Sequence, residues 1–279
     1  MEDIRRNIAR YYDVGTTRTN DIDFYESHIL PEDRTVLEFG CGTGRVLIPL
    51  SRHCDFIVGV DHSSSMLAIC QEKLQKHQIS QNNAELLHED ITCLALQRKF
   101  GLILAPFRVF QNMDTDEEVD AFFRSIHRHL SPHGSCILNV FKPNAPARDL
   151  LETWRDYDEI FGWEKTLASG LLKHYYRRKK IKKEPLVLYP ELIYRYYENE
   201  ELVDEVCSVV PMRVYYADEF REVIQDHGFS IVETWGGYCD EKYGEGPELV
   251  IKFMKGSGQQ HAAADLAGPS PSGPPPPSS

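Results

Sequence analysis

Residues 35–45, Thr35-Val36-Leu37-Glu38-Phe39-Gly40-Cys41-Gly42-Thr43-Gly44-Arg45, decide how this chain folds. The first five read as a short buried strand, and the glycines that follow let the chain turn tightly and let a ligand approach the backbone. A helix beginning just after them presents free N–H groups to that ligand. In an open parallel sheet such a turn lies beyond the carboxyl end of a strand, where ligands bind. A dinucleotide loop wants G-x-G-x-x-G or A, with a small third residue for helix packing. Here that position is Arg45, large and charged. A Walker Gly-Lys-Ser/Thr is also missing, so a P-loop is excluded. Glu38, two residues before the first glycine, suits a positively charged cofactor better than a pyrophosphate.

Outward from the loop, short apolar strands alternate with amphipathic helices. Thr43–Arg52 reads as a helix bent at Pro49. Phe56–Val60 is the second strand, and Ser63–His77 a helix capped by Ser63 or Ser64. Glu85–His88 and Phe100–Ala105 are further strands. Asp114–Leu130 is a helix with acidic residues at its dipole-favoured start, Ser131–Gly134 a turn, and Cys136–Val140 the fifth strand. Beyond Phe141 the character changes. Leu186–Tyr189, Ile193–Tyr197 and Val206–Val210 look like antiparallel strands, before a helix at Asp218–His227 closed by Gly228 and two last strands, Phe229–Trp235 and Leu249–Met254. Such alternation predicts right-handed crossovers and an α/β, doubly wound, mostly parallel sheet.

Composition narrows the function. Thirty-one Lys and Arg against 43 Asp and Glu give a formal charge of −12, which disfavours a nucleic-acid partner. No run of about 18 apolar residues or signal-like start is present, so no membrane partner is expected. Seven scattered cysteines without a Cys-x-x-Cys pair fit reduced thiols in the cytoplasm. The basic run Arg177–Lys183 is an anion site, a targeting signal or, as the plainer alternative, a solvated strand end or hairpin. Residues 256–279 carry almost no large apolar side chains and are expected to be a disordered tail.

With these residues in hand, the chain resembles a class I S-adenosylmethionine-dependent methyltransferase of the small-molecule subgroup. The likeness covers about residues 1–140, and the last helix and strands as topology. It implies a Rossmann-like seven-stranded sheet with a β-rich insertion before the last helix and two strands. The expected division is 1–34, an N-terminal helical lid; 35–140, the cofactor-binding core; 141–215, a β-rich substrate cover; 216–255, the last core elements; and 256–279, the tail. The resemblance implies S-adenosylmethionine as cofactor, with Glu38, Gly40, Gly42 and Gly44 around its methionine part and Cys41 and Arg45 also at the cofactor. It places Asp61 on the ribose hydroxyls, His62 and Met66 beside the adenine, and Asp90 and Ile91 at the adenine edge. It brings Ala105 to the transferred methyl and an N-terminal tyrosine, Tyr12 in Tyr11-Tyr12-Asp13, over the cofactor. Asp61 and Asp90 follow predicted strands, as does the glycine loop, and that joint spacing makes the resemblance specific. Alone, Met66 has the lesser alternative of plain core and Asp90 that of a helix or turn cap.

The fourth-strand end departs from amide N-methyltransferases of the Asn/Asp-Pro-Pro-Tyr type, because position 105 is Ala. That argues against nucleic-acid bases and glutamine side chains as substrates. The run Ala-Pro-Phe-Arg-Val-Phe-Gln-Asn at 105–112 points instead to a small-molecule methyl acceptor, methylated on N or O. Arg108, with Gln111 near it, either binds a substrate anion or pairs with a carboxylate of the fold. Tyr12, Arg108, His174 and Glu191 are the candidates for a catalytic group. His127, His129 and His133 read as surface histidines rather than metal ligands, since Pro132 breaks the helix between them, and no metal site is expected. Tyr157, Tyr175, Tyr176, Tyr189, Tyr194, Tyr196 and Tyr197 crowd the insertion. They line a pocket, form a homodimer face, or simply pack on one side and face water on the other. A non-catalytic cofactor-binding scaffold and a protein methyltransferase stay open as alternatives.

Overall fold

Thr35–Phe39 forms the strand its apolar run calls for, at the centre of a computed structural model that describes residues 3, 5–15, 20–154, 158–239 and 241–256. Two short helices, α1 (Ala9–Gly15) and α2 (Asn20–Glu26), precede this strand, β1. After it come α3 (Leu47–Leu50), β2 (Phe56–Asp61), α4 (Ser64–Lys76), β3 (Ala84–His88) and β4 (Phe100–Ala105). A 3-10 turn (Val109–Asn112) leads to α5 (Asp116–His129), β5 (Leu130–Phe141) and α6 (Ala147–Thr153). The insertion holds β6 (Ile160–Leu167), β7 (Gly170–Lys182), β8 (Val187–Glu198), β9 (Glu201–Val209) and β10 (Met212–Arg213). The chain returns through α7 (Ala217–Asp226), β11 (Phe229–Trp235) and β12 (Glu248–Lys255).

Seven strands make one sheet in the order β11-β12-β5-β4-β1-β2-β3, in which β12 runs antiparallel to both neighbours. This is the expected Rossmann-like sheet. Its two faces carry separate cores, as parallel strands covered on both sides require. Leu37, Phe39, Ile103 and Ala105 point to the face of α5 and α7, where Phe122, Phe123 and Phe220 cover them. Val36, Leu102 and Leu104 point to the other, under Leu47, Leu67 and Cys70. The strand order reverses between β1 and β4, so the loop after β1 sits where such sheets bind ligands.

Local departures have local causes. The helix expected over Thr43–Arg52 is regular only at Leu47–Leu50, because the positive-φ Gly40, Gly42 and Gly44 carry the loop onward and Pro49 removes one rung of the ladder. The turn at Ser131–Gly134 loops out within β5, where the pairing jumps from Phe100–Leu130 to Leu102–Ser135. In the insertion the two strands expected at 186–189 and 193–197 are one, β8, which runs through Pro190. β6, β7 and α6 were not legible, and the basic run forms the end of β7. Tyr157 and residues 257–279 lie outside the described residues, so the expected tail is not seen.

One histidine expected at the surface is core. His129 is fully buried: its Nε2 accepts the Leu96 N–H at 2.9 Å, so Nδ1 carries the proton and donates to the Ser125 carbonyl at 2.7 Å. His127 is half-buried, its Nε2 bound to the His227 carbonyl at 2.7 Å, while His133 is exposed as expected. His129→Ala leaves the Leu96 N–H without its acceptor beside a new void, and should cost about 2–4 kcal/mol. A melting temperature equal to wild type would show that neither bond matters.

Candidate functional site

The glycine loop is fixed by the end of β2. Gly40 and Cys41 donate their N–H groups to the Val60 carbonyl at 2.8 and 3.1 Å. Asp61 then takes two backbone amides, Gly42 N–H on Oδ2 and Ser63 N–H on Oδ1, each at 2.8 Å. Ser63 caps α4, accepting the Met66 N–H at 3.3 Å. One carboxylate thus ties together the loop, the strand end and the next helix. Its lone pairs exceed these two bonds, leaving acceptor capacity.

The N-terminal helices are pinned onto this loop by acids. Asp13 accepts Thr43 Oγ1 at 2.6 Å and pairs with Lys73 at 2.7 Å. Asp21, 3% exposed, holds both terminal nitrogens of Arg45 at 2.7 Å. Arg45 therefore anchors α2 and is not in the cleft lining. On its other side α1 is bound to β9 by Arg10–Asp204 at 2.6 Å, and Ile8 packs with Leu172 and Tyr194 of the second sheet. This clamp sets Tyr12 over the cleft, edge-on to Phe107 with ring centroids 6.5 Å apart and with the Arg5 guanidinium 5.7 Å from its ring centre. Burial pushes the Tyr12 hydroxyl above its ordinary pKa.

A cleft of about 240 Å³ opens between these parts. Tyr12, Gly40, Gly42, Asp61, His62, Met66, Asp90 and Ile91, all expected at the cofactor, line it. Glu38, Cys41, Gly44, Arg45 and Ala105 stand behind it. The lining shows what it lacks. His62 Nε2 is buried with no hydrogen-bond partner, and so, beneath the loop, is Glu38 Oε2. A Cβ added at Gly42 would meet only Met66 Cε, at 3.8 Å. Burial pushes the Glu38 carboxyl up to about 8, against the opposing charge of Arg45. Asp90 spends only Oδ1, on the Thr92 amide at 2.8 Å and hydroxyl at 2.6 Å. It is therefore a turn cap and a cleft residue together.

Beyond β4 two non-glycine residues are left-handed, Phe107 at φ 56° and Arg108 at φ 68°. Such backbone is costly and marks a functional segment. It leaves Phe107 43% exposed, on the cleft. Arg108 turns away to the buried Glu248, with Nη2–Oε1 at 2.5 Å and Nε–Oε2 at 3.3 Å. Of its two readings, pairing within the fold is the one the structure holds. Gln111 is also spent on the fold, donating to the Arg213 carbonyl at 2.7 Å and accepting the Phe141 N–H at 2.8 Å.

His174 and Glu191 are not cleft residues. His174 stacks on Trp163 at 5.2 Å, and burial pulls its pKa down to about 4. Glu191 pairs with Arg177 at 2.6 Å and Lys179 at 3.5 Å. The cleft gains residues not singled out from the sequence: Arg5, Glu89, Met113, Asp114, Glu118 and Pro211. Asp114 and Glu118 were legible only as acids at a helix start, a role that hid their position. Among the described residues no cluster of three His, Cys, Asp or Glu is placed to hold a metal, no helix is long and apolar enough to cross a membrane, and all seven cysteines are free.

The comparisons with known proteins agree with this geometry. A family model described as a methyltransferase domain matches residues 36–134. A protein of Geobacillus sp. (strain WCH70), provisionally named a methyltransferase, is 23% identical over 225 residues, 80% of this chain and 84% of that one. An S-adenosylmethionine-dependent methyltransferase of Clostridium acetobutylicum ATCC 824 shares the fold, with a TM-score of 0.72 at 16% identity over 90% of this chain and 98% of its own. A sugar N-methyltransferase of Streptoalloteichus sp. ATCC 53650 shares it with a TM-score of 0.66 at 16% identity, over 89% and 92%. The chain carries a methyltransferase domain over residues 36–134 and has the fold of S-adenosylmethionine-dependent methyltransferases.

Proposed function

We propose that this cleft binds S-adenosylmethionine and that the enzyme methylates the nitrogen of a small-molecule amine. The cofactor supplies a methyl group on a sulfonium, and the protein supplies position and electrostatics. Asp61 would take the ribose hydroxyls with its remaining lone pairs. His62, Met66, Asp90 and Ile91 would surround the adenine, and Gly40 and Gly42 would admit the methionine part, with Tyr12 closing over it. Glu38 would face the ammonium of the cofactor. The second sheet would cover the acceptor.

The observation that carries the choice of an amine is the charge of the cleft. Asp114, Glu118 and Glu89 line it, and Arg5 is the one Lys or Arg in the described lining. Such a wall attracts an ammonium and repels an anion. The sugar N-methyltransferase with this fold makes amino sugars the first acceptors to try. A panel of amino pentoses and hexoses with their hydroxyl counterparts, read by mass, tests the reading. Methylation of amino members with turnover rising with pH is expected, since only the neutral amine attacks. Methylation confined to the hydroxyl members would overturn it.

Glu38 gives a second test. Its raised pKa keeps it protonated at pH 7 in the free protein, whereas an ammonium beside it favours the carboxylate. Binding of S-adenosylmethionine at pH 7, where an α-amino group of pKa about 7.7–8.0 is already mostly charged, should release close to one proton. Calorimetry in buffers of different ionisation enthalpy measures it, and Glu38→Gln should abolish it. Heats independent of buffer in the wild type would rule this role out.

A further inference from the structure

We infer that Asp114 receives the amino group of the methyl acceptor and that Tyr189 holds it in place to do so. This rests on the amine reading above. Asp114 precedes α5 and lines the cleft together with Asp61. Three groups immobilise it. Its N–H donates to Glu118 Oε2 at 2.9 Å, its carbonyl accepts Lys182 Nζ at 3.0 Å, and its Oδ2 accepts the Tyr189 hydroxyl at 2.7 Å. Oδ1 has no hydrogen bond among the described residues and is not a buried unpaired atom, so it is open to a ligand. Burial, together with the bond to Asp114, holds the Tyr189 hydroxyl above its ordinary pKa, so it stays a donor.

Glu118 and Glu89, also in the lining, are less available. Glu118 Oε2 accepts two N–H groups in the α5 cap, from Asp114 and Thr115. Glu89 lies beside Asp90, on the wall that carries the expected adenine residues. The charged or titratable groups touching Asp114 are Tyr189 from β8, Lys182 from β7 and Glu118 from α5, and those sharing the cleft lining with it are Arg5, Tyr12, Asp61, His62, Glu89 and Asp90; Lys180 of β7 sits 5.0 Å from the centre of the Tyr189 ring. Arg5 is over Tyr12, and Lys182 reaches the Asp114 carbonyl rather than its carboxylate.

An arriving ammonium gains the Asp114 charge, then loses one proton to solvent. The neutral amine keeps an N–H to Oδ1, which aims its lone pair. That pair forms the new C–N bond as the methyl–sulfur bond breaks and its electrons leave on sulfur. The methylated nitrogen, now cationic, gives up its extra proton to solvent. Because Asp114 favours the charged amine, it moves the rising, acid-side limb of the kcat profile to higher pH.

The test compares Asp114→Asn and Tyr189→Phe with wild type on the amino sugar of the panel that turns over fastest. Asp114→Asn should raise the acceptor KM by about 10- to 100-fold and shift the kcat limb to lower pH. Affinity for S-adenosylmethionine should stay within about twofold. Tyr189→Phe should raise the same KM by less, with cofactor affinity again unchanged. If Asp114→Asn keeps the wild-type KM and pH limb on an amine that is methylated, the inference is wrong and the amine reading survives. If the wild type methylates no panel amine, both fall. Should Asp114→Asn not fold, Tyr189→Phe decides: a raised KM supports the inference and a wild-type KM overturns it.

Discussion

Asp61→Ala is expected to weaken S-adenosylmethionine binding by at least about 100-fold. Hydrogen bonds to a charged group contribute roughly 1.5–3 kcal/mol each, so losing two to the ribose gives about 10²- to 10⁴-fold. The same change strips the acceptor from Gly42 N–H and Ser63 N–H, so the loop itself slackens and the melting temperature should fall. Asp61→Asn separates the two effects less cleanly than it first promises. Both backbone partners of Asp61 are donors, and an amide offers only one acceptor oxygen, so Asn satisfies one and opposes the other. Calorimetric titration of each variant reads the affinity directly. An affinity for Asp61→Ala within threefold of wild type would remove Asp61 from the site.

The second large effect is Gly40→Val. Gly40 sits at φ 65°, where a β-branched residue is strained. Its added Cβ would come within 2.5 Å and 2.9 Å of the Val109 methyls. Val109 belongs to the 3-10 turn that lines the cleft between Phe107 and Asn112, so the clash pushes the cleft wall rather than bulk solvent. The backbone strain alone costs of order 1–3 kcal/mol. Cofactor binding should become undetectable and the melting temperature should drop by several degrees. Gly42→Ala is the milder contrast: at φ 53° the new residue is strained by about 1–2 kcal/mol, but its Cβ meets only Met66 at 3.8 Å, so the melting temperature should fall less than in Gly40→Val while affinity falls. If Gly40→Val binds S-adenosylmethionine as tightly as wild type, the loop does not shape the cleft.

What could be read in advance follows from the range of the interactions. Strands β1, β2 and β4 are apolar and buried almost throughout, which sequence periodicity reveals. Gly40, Gly42, Asp61 and Asp90 were legible because strand ends and their spacing place them together. The pairings of Asp114 with Tyr189 and of Arg108 with Glu248 were not, because they span 75 and 140 residues. No local pattern foretells which acid finds which base. The left-handed backbone at Phe107 and Arg108 was hidden for a similar reason: packing, not glycine, imposes it. His129 reads as a polar helix end until Leu96, 33 residues away, supplies its donor. Arg45 was instead read as a cofactor residue because it sits in the loop, and the partner that claims it, Asp21, belongs to another helix.

A single competition measures the central claim. An amino pentose and its hydroxyl counterpart are mixed at equal concentration with methyl-labelled S-adenosylmethionine and enzyme, and the products are resolved by mass and by position of the label. The account predicts label on nitrogen, with one S-adenosylhomocysteine formed per methyl transferred. Label on oxygen, or tight cofactor binding with no transfer to either acceptor, would contradict it.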